Sequence, residues 1–236
     1  MTAPVLEIRG LTAGYEGVPV VRDLDLTVAP GEVVALLGPN GSDKTTTLRT
    51  VSGLLTPLGG TVEVLGTPVT GRNPHKVARR GVGHVTEDRS LFFDLTARQN
   101  LRLGARGRRQ AHRALPRVLE LFPELGPLLD RRAGLLSGGQ QQMLALARAL
   151  VAEPKLLLVD EMSLGLAPII VQRLLPMVRA VADETGAGVV LVEQHLAVAL
   201  DLADQVCVLV HGDVAAAGPA AELRERPELF TTTYLG

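Results

Sequence analysis

Short, almost wholly apolar runs recur along this chain at Val33–Leu37, Lys155–Val159, Val189–Val192 and Val206–Val210. Each has strand length and no polar face, the pattern of a strand covered by helices on both sides. Between the last three runs, Ile169–Val181 and Leu196–Ala203 have helical spacing, and Val171, Leu174, Leu175, Val178 and Val181 share one face of the first helix as core. This alternation predicts parallel strands with helices packed on their faces. β-like segments near Leu6–Ile8, Leu24–Val28 and Thr61–Val64 make the beginning richer in sheet, and Thr45–Val51 follows the first run as a helix ending near Gly53. At the far end, His211-Gly212-Asp213 predicts a tight turn into a last short strand, Val214–Ala217. From about Glu87 the strand-like runs stop, and helical patterns at Thr96–Leu103 and Ala111–Phe122 replace them. The expected organisation is one α/β domain with a core lobe of mixed and parallel sheet, residues 1–86 and 150–236, and an inserted helical lobe, 87–149.

The 236 residues are 46% hydrophobic, enough to pack such a domain. A balance of 24 basic and 25 acidic residues leaves no electrostatic footprint of a general nucleic-acid binder, so no nucleic acid is expected as a partner. No apolar run approaches the roughly 18 residues of a membrane span, and Met1–Pro4 does not open a signal peptide. A cytosolic chain that docks peripherally on a membrane partner is therefore expected. Cys207, the one cysteine, lies in an apolar strand run and is expected to be buried and inert. Arg102, Arg106, Arg108, Arg109, Arg113 and Arg117 make the helical lobe locally basic, as a solvated face or as a contact for a membrane partner or anionic lipid.

The chemistry is concentrated at three places. Gly38-Pro39-Asn40-Gly41-Ser42-Asp43-Lys44-Thr45-Thr46 directly follows the first apolar run. A loop that leaves a strand and opens a helix turns its N–H groups and the helix dipole toward phosphate oxygens. Lys44 would reach the terminal phosphates, and the Thr45 hydroxyl would ligate magnesium. Asp43 departs from the G-x-x-x-x-G-K-T pattern, because it stands at the last glycine position. Second, Asp160 and Glu161 follow a buried strand at its exit, where open α/β sheets bind ligands. Asp160 would hold the Mg²⁺ shell, commonly through water, and Glu161 would polarise the attacking water. A strand followed by an acidic helix cap is the bland alternative. Third, in Leu136-Ser137-Gly138-Gly139-Gln140, Ser137 and Gln140 have capping-box spacing ahead of a helix. A cap does not require the two glycines between its ends, whereas an anion-binding concavity does, so a second phosphate contact is inferred.

This last motif resembles the signature of ATP-binding cassette (ABC) ATPases, and the other motifs fall in that family's order along essentially the whole chain. The resemblance implies a P-loop NTPase fold of ABC type that uses ATP and Mg²⁺. By position, Tyr15 matches the aromatic residue that stacks on adenine, although a surface aromatic beside Gly14 and Gly17 is the plain alternative. Gly38 to Thr46 match the phosphate loop, and Ser137 to Gln140 the signature. Glu87 stands where the family has the metal-contacting glutamine of its connecting loop. Asp160 and Glu161 match the magnesium-site and catalytic carboxylates. Ser163 to Ala167 match the loop that crosses the dimer interface, with Met162 in place of the usual proline. Gln194 falls at the position of the switch histidine, and His195 lies one residue beyond; Gln194 is the preferred candidate. A glutamine there still donates a hydrogen bond but does not titrate near neutrality.

The segments Ser163–Ile170 and Val192-Glu193-Gln194, together with Glu87 and the terminal Tyr234-Leu235-Gly236, are similar to ATP-binding subunits of branched-chain amino acid uptake transporters. Relatives of that group import amides or urea. The resemblance implies transmembrane permease subunits, a second ATPase subunit of the same or a sister kind, and indirectly a periplasmic or extracellular substrate-binding protein. It places this chain on the cytoplasmic side of the membrane.

Asp43 admits two compatible readings. Its charge repels phosphate, since two unit charges about 4 Å apart interact by roughly 4 kcal/mol at an effective dielectric near 20, or it caps the helix that follows. Three functions are consistent with the motifs: a transport motor, a nucleotide-impaired cassette paired with an active one, and a soluble cassette acting on ribosomes or DNA. The third would more often bring tandem cassettes, coiled insertions or a basic surface, and this sequence has none.

Overall fold

The computed structural model describes residues 3–69, 73–194 and 196–225. The chain begins with a long hairpin, β1 (Leu6–Tyr15) and β2 (Val18–Val28). Its turn is Glu16-Gly17, where φ is positive at both residues (52° and 81°), the geometry that matches strand twist in a two-residue loop. Next come β3 (Val33–Leu37), α1 (Lys44–Val51), β4 (Gly59–Val64), the two-residue β5 (Thr67–Pro68), α2 (Pro74–Arg79) and β6 (Val82–Val85). Between β6 and β7 the chain forms α3 (Ala97–Gly104), α4 (Arg108–Leu121), two short 3₁₀ turns and α5 (Gly138–Val151). The chain returns through β7 (Leu156–Asp160), α6 (Pro168–Thr185), β8 (Gly188–Glu193), α7 (Leu196–Leu202), β9 (Gln205–Val210), β10 (Asp213–Pro219) and α8 (Ala220–Arg224).

Two sheets result. One is antiparallel, in the order β2-β1-β4-β5, and the other runs β10-β9-β3-β8-β7-β6, parallel except for β10. Period-2 alternation explains why the central strands are apolar throughout. Val34, Leu36, Leu156, Leu158, Val190 and Val192 pack toward the antiparallel sheet. On the opposite face, Leu157, Val159, Val189 and Leu191 join the core of α3, α4, α5 and α6, while Ala35 and Leu37 meet α7 and α8. The five apolar residues expected on one face of α6 are all buried. Cys207 is buried as well, and burial pushes its thiol up to about 12.

The sequence pattern located the central parallel strands to within a residue but shortened the hairpin, whose register is interrupted by bulges. It did not find β6, where Gly83 and His84 break the apolar run, nor α2. Edge strand β6 carries the chain up beside β7 and releases it at Glu87. Helices α3 and α5 are closely applied: a Cβ at Gly104 would stand 2.1 Å from the Arg148 carbonyl oxygen, so α3 approaches α5 this closely only with glycine there.

His84 shows what β6 costs. Its Nε2 is buried without a hydrogen-bond partner, and burial, reinforced by Arg49, pushes the imidazole down to about 4. The folded state thus holds His84 neutral, so the stability it permits is complete above the ordinary value of 6.5 and is lost as pH falls from there toward 4. Between pH 7 and pH 5 the native chain should lose about 2 kcal/mol more than His84→Leu. Urea unfolding at the two pH values checks this, and equal losses would refute it.

Candidate functional site

β3 lies between β8 and β9, its neighbours on the two sides, so the loop leaving Leu37 emerges where the chain's strand order reverses. Gly38 permits the exit: a Cβ there would lie 2.2 Å from the Leu209 carbonyl oxygen and 2.4 Å from Ser42 Oγ. The loop closes as the Ser42 N–H and hydroxyl donate to Pro39 O at 3.2 and 2.8 Å. Lys44 is only 3% exposed, and its ammonium donates to Gly38 O and Pro39 O, both at 2.9 Å, spanning the loop from within.

Facing this loop is the end of β7. Asp160 is 2% exposed and accepts the Thr45 hydroxyl at 3.1 Å. Burial pushes its carboxyl up to about 6, against the Thr45 hydrogen bond, and the charges of Glu161 and Glu87 add to the rise. Glu161, with φ at 42°, turns back toward the loop, so that its Oε1 lies 3.4 Å from Lys44 Nζ and its Oε2 accepts Gln194 Nε2 at 2.7 Å. Lys44, Thr45, Asp160, Glu161 and Gln194, from three separate stretches of chain, thus form one connected cluster. A buried carboxylate beside two more acids calls for a cation, and the hydroxyl and carboxylate oxygens are hard donors that suit Mg²⁺. Among the described residues no group of three His, Cys, Asp or Glu is placed to hold a metal alone. Few protein ligands is the usual condition of magnesium, which keeps water and phosphate oxygens in its shell.

The remaining predicted residues fall around this cluster. Glu87 is exposed at the exit of β6 and close enough to Asp160 for its charge to act there. Tyr15 is 42% exposed, with its hydroxyl 3.3 Å from Thr46 Oγ1 and accepting Arg49 Nη1 at 3.3 Å. That ties the ring to the flank of α1, at the edge of the loop. Asp43 corrects the capping expectation. Its side chain makes no cap hydrogen bond, its backbone keeps the left-handed conformation (φ 65°, ψ 27°) suited to glycine, and Oδ1 accepts the Thr46 hydroxyl at 3.2 Å. The loop retains its path and bears an added carboxylate.

Ser137 and Gln140 do form the reciprocal capping box at the start of α5. Their motif is not brought to the loop: among the described residues no hydrogen bond or ion pair joins Ser137–Gln140 to Gly38–Thr46. It is seated against the loop after β7 and the start of α6 instead, since a Cβ would lie 3.3 Å from Leu166 at Gly138 and 2.6 Å from Ile170 at Gly139. His195 and Tyr234-Leu235-Gly236 lie outside the described residues. Sequence reasoning gave no role to Glu193, which is fully buried and accepts both the Ser163 hydroxyl (2.5 Å) and N–H (3.2 Å), anchoring the loop that begins there. The signal available was a charged residue inside an apolar strand run, which implies a buried partner.

A parallel sheet whose strand-order reversal releases a lysine-bearing loop beside a buried acid is the architecture of a phosphate-loop NTPase. The family model described as ABC transporter matches residues 21–163, and the chain belongs to that family, as an ATP-hydrolysing subunit. It is 38% identical over 224 residues to the high-affinity branched-chain amino acid transport ATP-binding protein BraG of Pseudomonas aeruginosa, covering 94% of this chain and 95% of that one. It is 34% identical over 228 residues to the probable branched-chain amino acid transport ATP-binding protein LivF of Archaeoglobus fulgidus, covering 96% of each. The sulfate/thiosulfate import ATP-binding protein CysA of Synechococcus elongatus is 35% identical over 98% of this chain and 67% of its own length. A solved structure described as the ATP-binding subunit of an ABC transporter superposes with a TM-score of 0.84 at 30% identity, covering 97% of this chain and 99% of that one.

Glu193→Ala would leave the Ser163 hydroxyl and N–H buried without an acceptor. The variant should lose about 2–4 kcal/mol in urea unfolding. A change below about 0.5 kcal/mol would show that Glu193 does not anchor the loop.

Proposed function

We propose that the chain energises branched-chain amino acid uptake from the cytoplasmic face of the membrane, hydrolysing MgATP as one of a pair of cassettes bound to transmembrane permease subunits that a periplasmic or extracellular substrate-binding protein supplies. The observation that carries the reading is the connected cluster of Lys44, Thr45, Asp160, Glu161 and Gln194. In it, Lys44 and the Gly38–Thr46 loop hold the phosphates, Thr45 and Asp160 hold Mg²⁺ with Glu87 at the edge of the site, and Tyr15 stacks on adenine. Bound Mg²⁺ would neutralise phosphate charge. Glu161 takes the proton of the attacking water, and Gln194, already hydrogen-bonded to Glu161, orients that water. Ser137–Gln140, which among the described residues makes no hydrogen bond to the chain's own loop, completes the site of the second cassette, a copy or a sister. The branched-chain assignment rests on kinship with BraG and LivF, and the identity to the sulfate protein makes transport assays its proper test.

One observation favours a second reading, a cassette impaired in nucleotide binding: Asp43 places a carboxylate in the loop and fixes it on Thr46. Asp43→Gly should bind MgATP about tenfold more tightly, the equivalent of a 1.4 kcal/mol residual repulsion, measured by calorimetric titration against the native chain. Equal affinities would clear Asp43 of that role. Glu161→Gln should bind MgATP as the native chain does while turnover in the assembled transporter falls by at least about 100-fold. Undiminished turnover would remove Glu161 as the base, and a native assembly with its permeases that turns over no ATP would leave the impaired reading standing.

A further inference from the structure

Arg89, two residues beyond Glu87, belongs to neither the phosphate loop nor the acid pair, yet it joins the connecting loop to the signature helix. Its guanidinium Nε donates to Gln142 Oε1 and its Nη1 to Gln141 Oε1, both at 2.8 Å. These are consecutive residues in the first turns of α5, directly after Ser137–Gln140. Gln141 in turn donates its amide to Ala133 O at 3.1 Å, on the segment leading into the motif. Arg89 thereby holds the start of α5, and Gln141, which it holds, ties that helix to the segment before the motif. The third nitrogen, Nη2, lies alongside Gly138: a Cβ there would stand 3.8 Å away.

The loop that presents Arg89 is itself held in an unfavourable conformation. φ is positive at two consecutive non-glycine residues, 64° at Arg89 and 47° at Ser90, a local strain that surrounding contacts must maintain. Asp88 accepts from the Ser90 N–H and hydroxyl at 3.1 and 2.8 Å and from the Thr86 hydroxyl. Arg148 of α5 reaches back to donate to Ser90 O at 2.7 Å and Arg89 O at 3.1 Å. The two elements are thus cross-linked by arginines in both directions. Gln142 has no freedom to flip, because the donor-only guanidinium must meet its oxygen, and its Nε2 is left buried without a partner. The arrangement accepts an orphaned amide in order to keep the arginine contact.

We propose that Arg89 is a positioning residue for hydrolysis: it makes Glu87 and the signature turn move as one body, so that the metal-facing carboxylate of one site and the glycines offered to the other are set together. This rests on the reading of the chain as a paired MgATP hydrolase. In the assembled transporter, Arg89→Ala should lower kcat by about 10- to 100-fold, the scale on which displacement of a catalytic group by about 1 Å acts, with KM for MgATP within about twofold. The MgATP affinity of the isolated chain should not change. Gln141→Ala/Gln142→Ala should reproduce the fall, and adding Arg89→Ala to it should cost little more. Arg89→Lys should not restore the rate, because an ammonium lacks the planar fork that meets two acceptors at once. A native kcat in Arg89→Ala, additive losses, or an equal loss of MgATP affinity would overturn the proposal. Amide hydrogen exchange separates it from the functional reading, since it needs no turnover. Residues 137–142 of the nucleotide-free full-length chain should exchange faster in Arg89→Ala, and unchanged exchange there would overturn the brace even if the chain proved to hydrolyse nothing.

Discussion

The fold is organised around one unfavourable placement, the carboxylate of Asp160 at the end of a buried parallel strand. Burial raises its pKa, and the nearby acids Glu161 and Glu87 raise it further. Among the described residues, the Thr45 hydroxyl and the ammonium of Lys44 oppose that penalty, and Lys44 is committed to two loop carbonyls and to Glu161. The arrangement is tolerable because the sheet fixes it: β3 and β7 are held on either side of β8 by parallel ladders, so the loop and the acid cannot drift apart. Apolar packing on both faces of the sheet thus maintains an electrostatic deficit at its edge, and a cation with phosphate is what that deficit attracts.

The parts of this design legible from sequence were those that depend on local pattern. Buried parallel strands need apolar residues on both faces, so β3, β7, β8 and β9 could be read as continuous runs, and the glycine-rich turn and the acids mark where those runs exit. The capping box of α5 was legible for the same reason, since both its members lie within four residues. β6 was not, because a two-valine edge strand interrupted by Gly83 and His84 carries no periodic signal and is specified by its pairing with β7. The hairpin was shortened because bulges shift its alternation. Arg89 and Glu193 were invisible for a different reason. Their significance lies in partners at separations of 52 and 30 residues, and spacing along the chain does not encode such contacts.

Asp43 illustrates a local departure that the fold absorbs. A left-handed backbone position tolerates aspartate better than most residues, because its short polar side chain finds a hydrogen bond nearby, here the Thr46 hydroxyl. The same threonine hydroxyl lies against Tyr15, whose own hydroxyl takes a bond from Arg49. The added carboxylate is therefore continuous with the contacts that place the aromatic ring. Whatever it does to phosphate, its effect is coupled to the base end of the site as well as the phosphate end.

The single cysteine carries a practical consequence. Cys207 sits inside β9 with its thiol pushed up to about 12, so almost none of it is thiolate at neutral pH, and burial keeps reagents out. For maleimide and spin-label chemistry the native chain therefore behaves as cysteine-free. Reporter groups introduced on the helices will be attached at known single points without altering any residue of the sheet, which makes distances between helices directly accessible to spectroscopy.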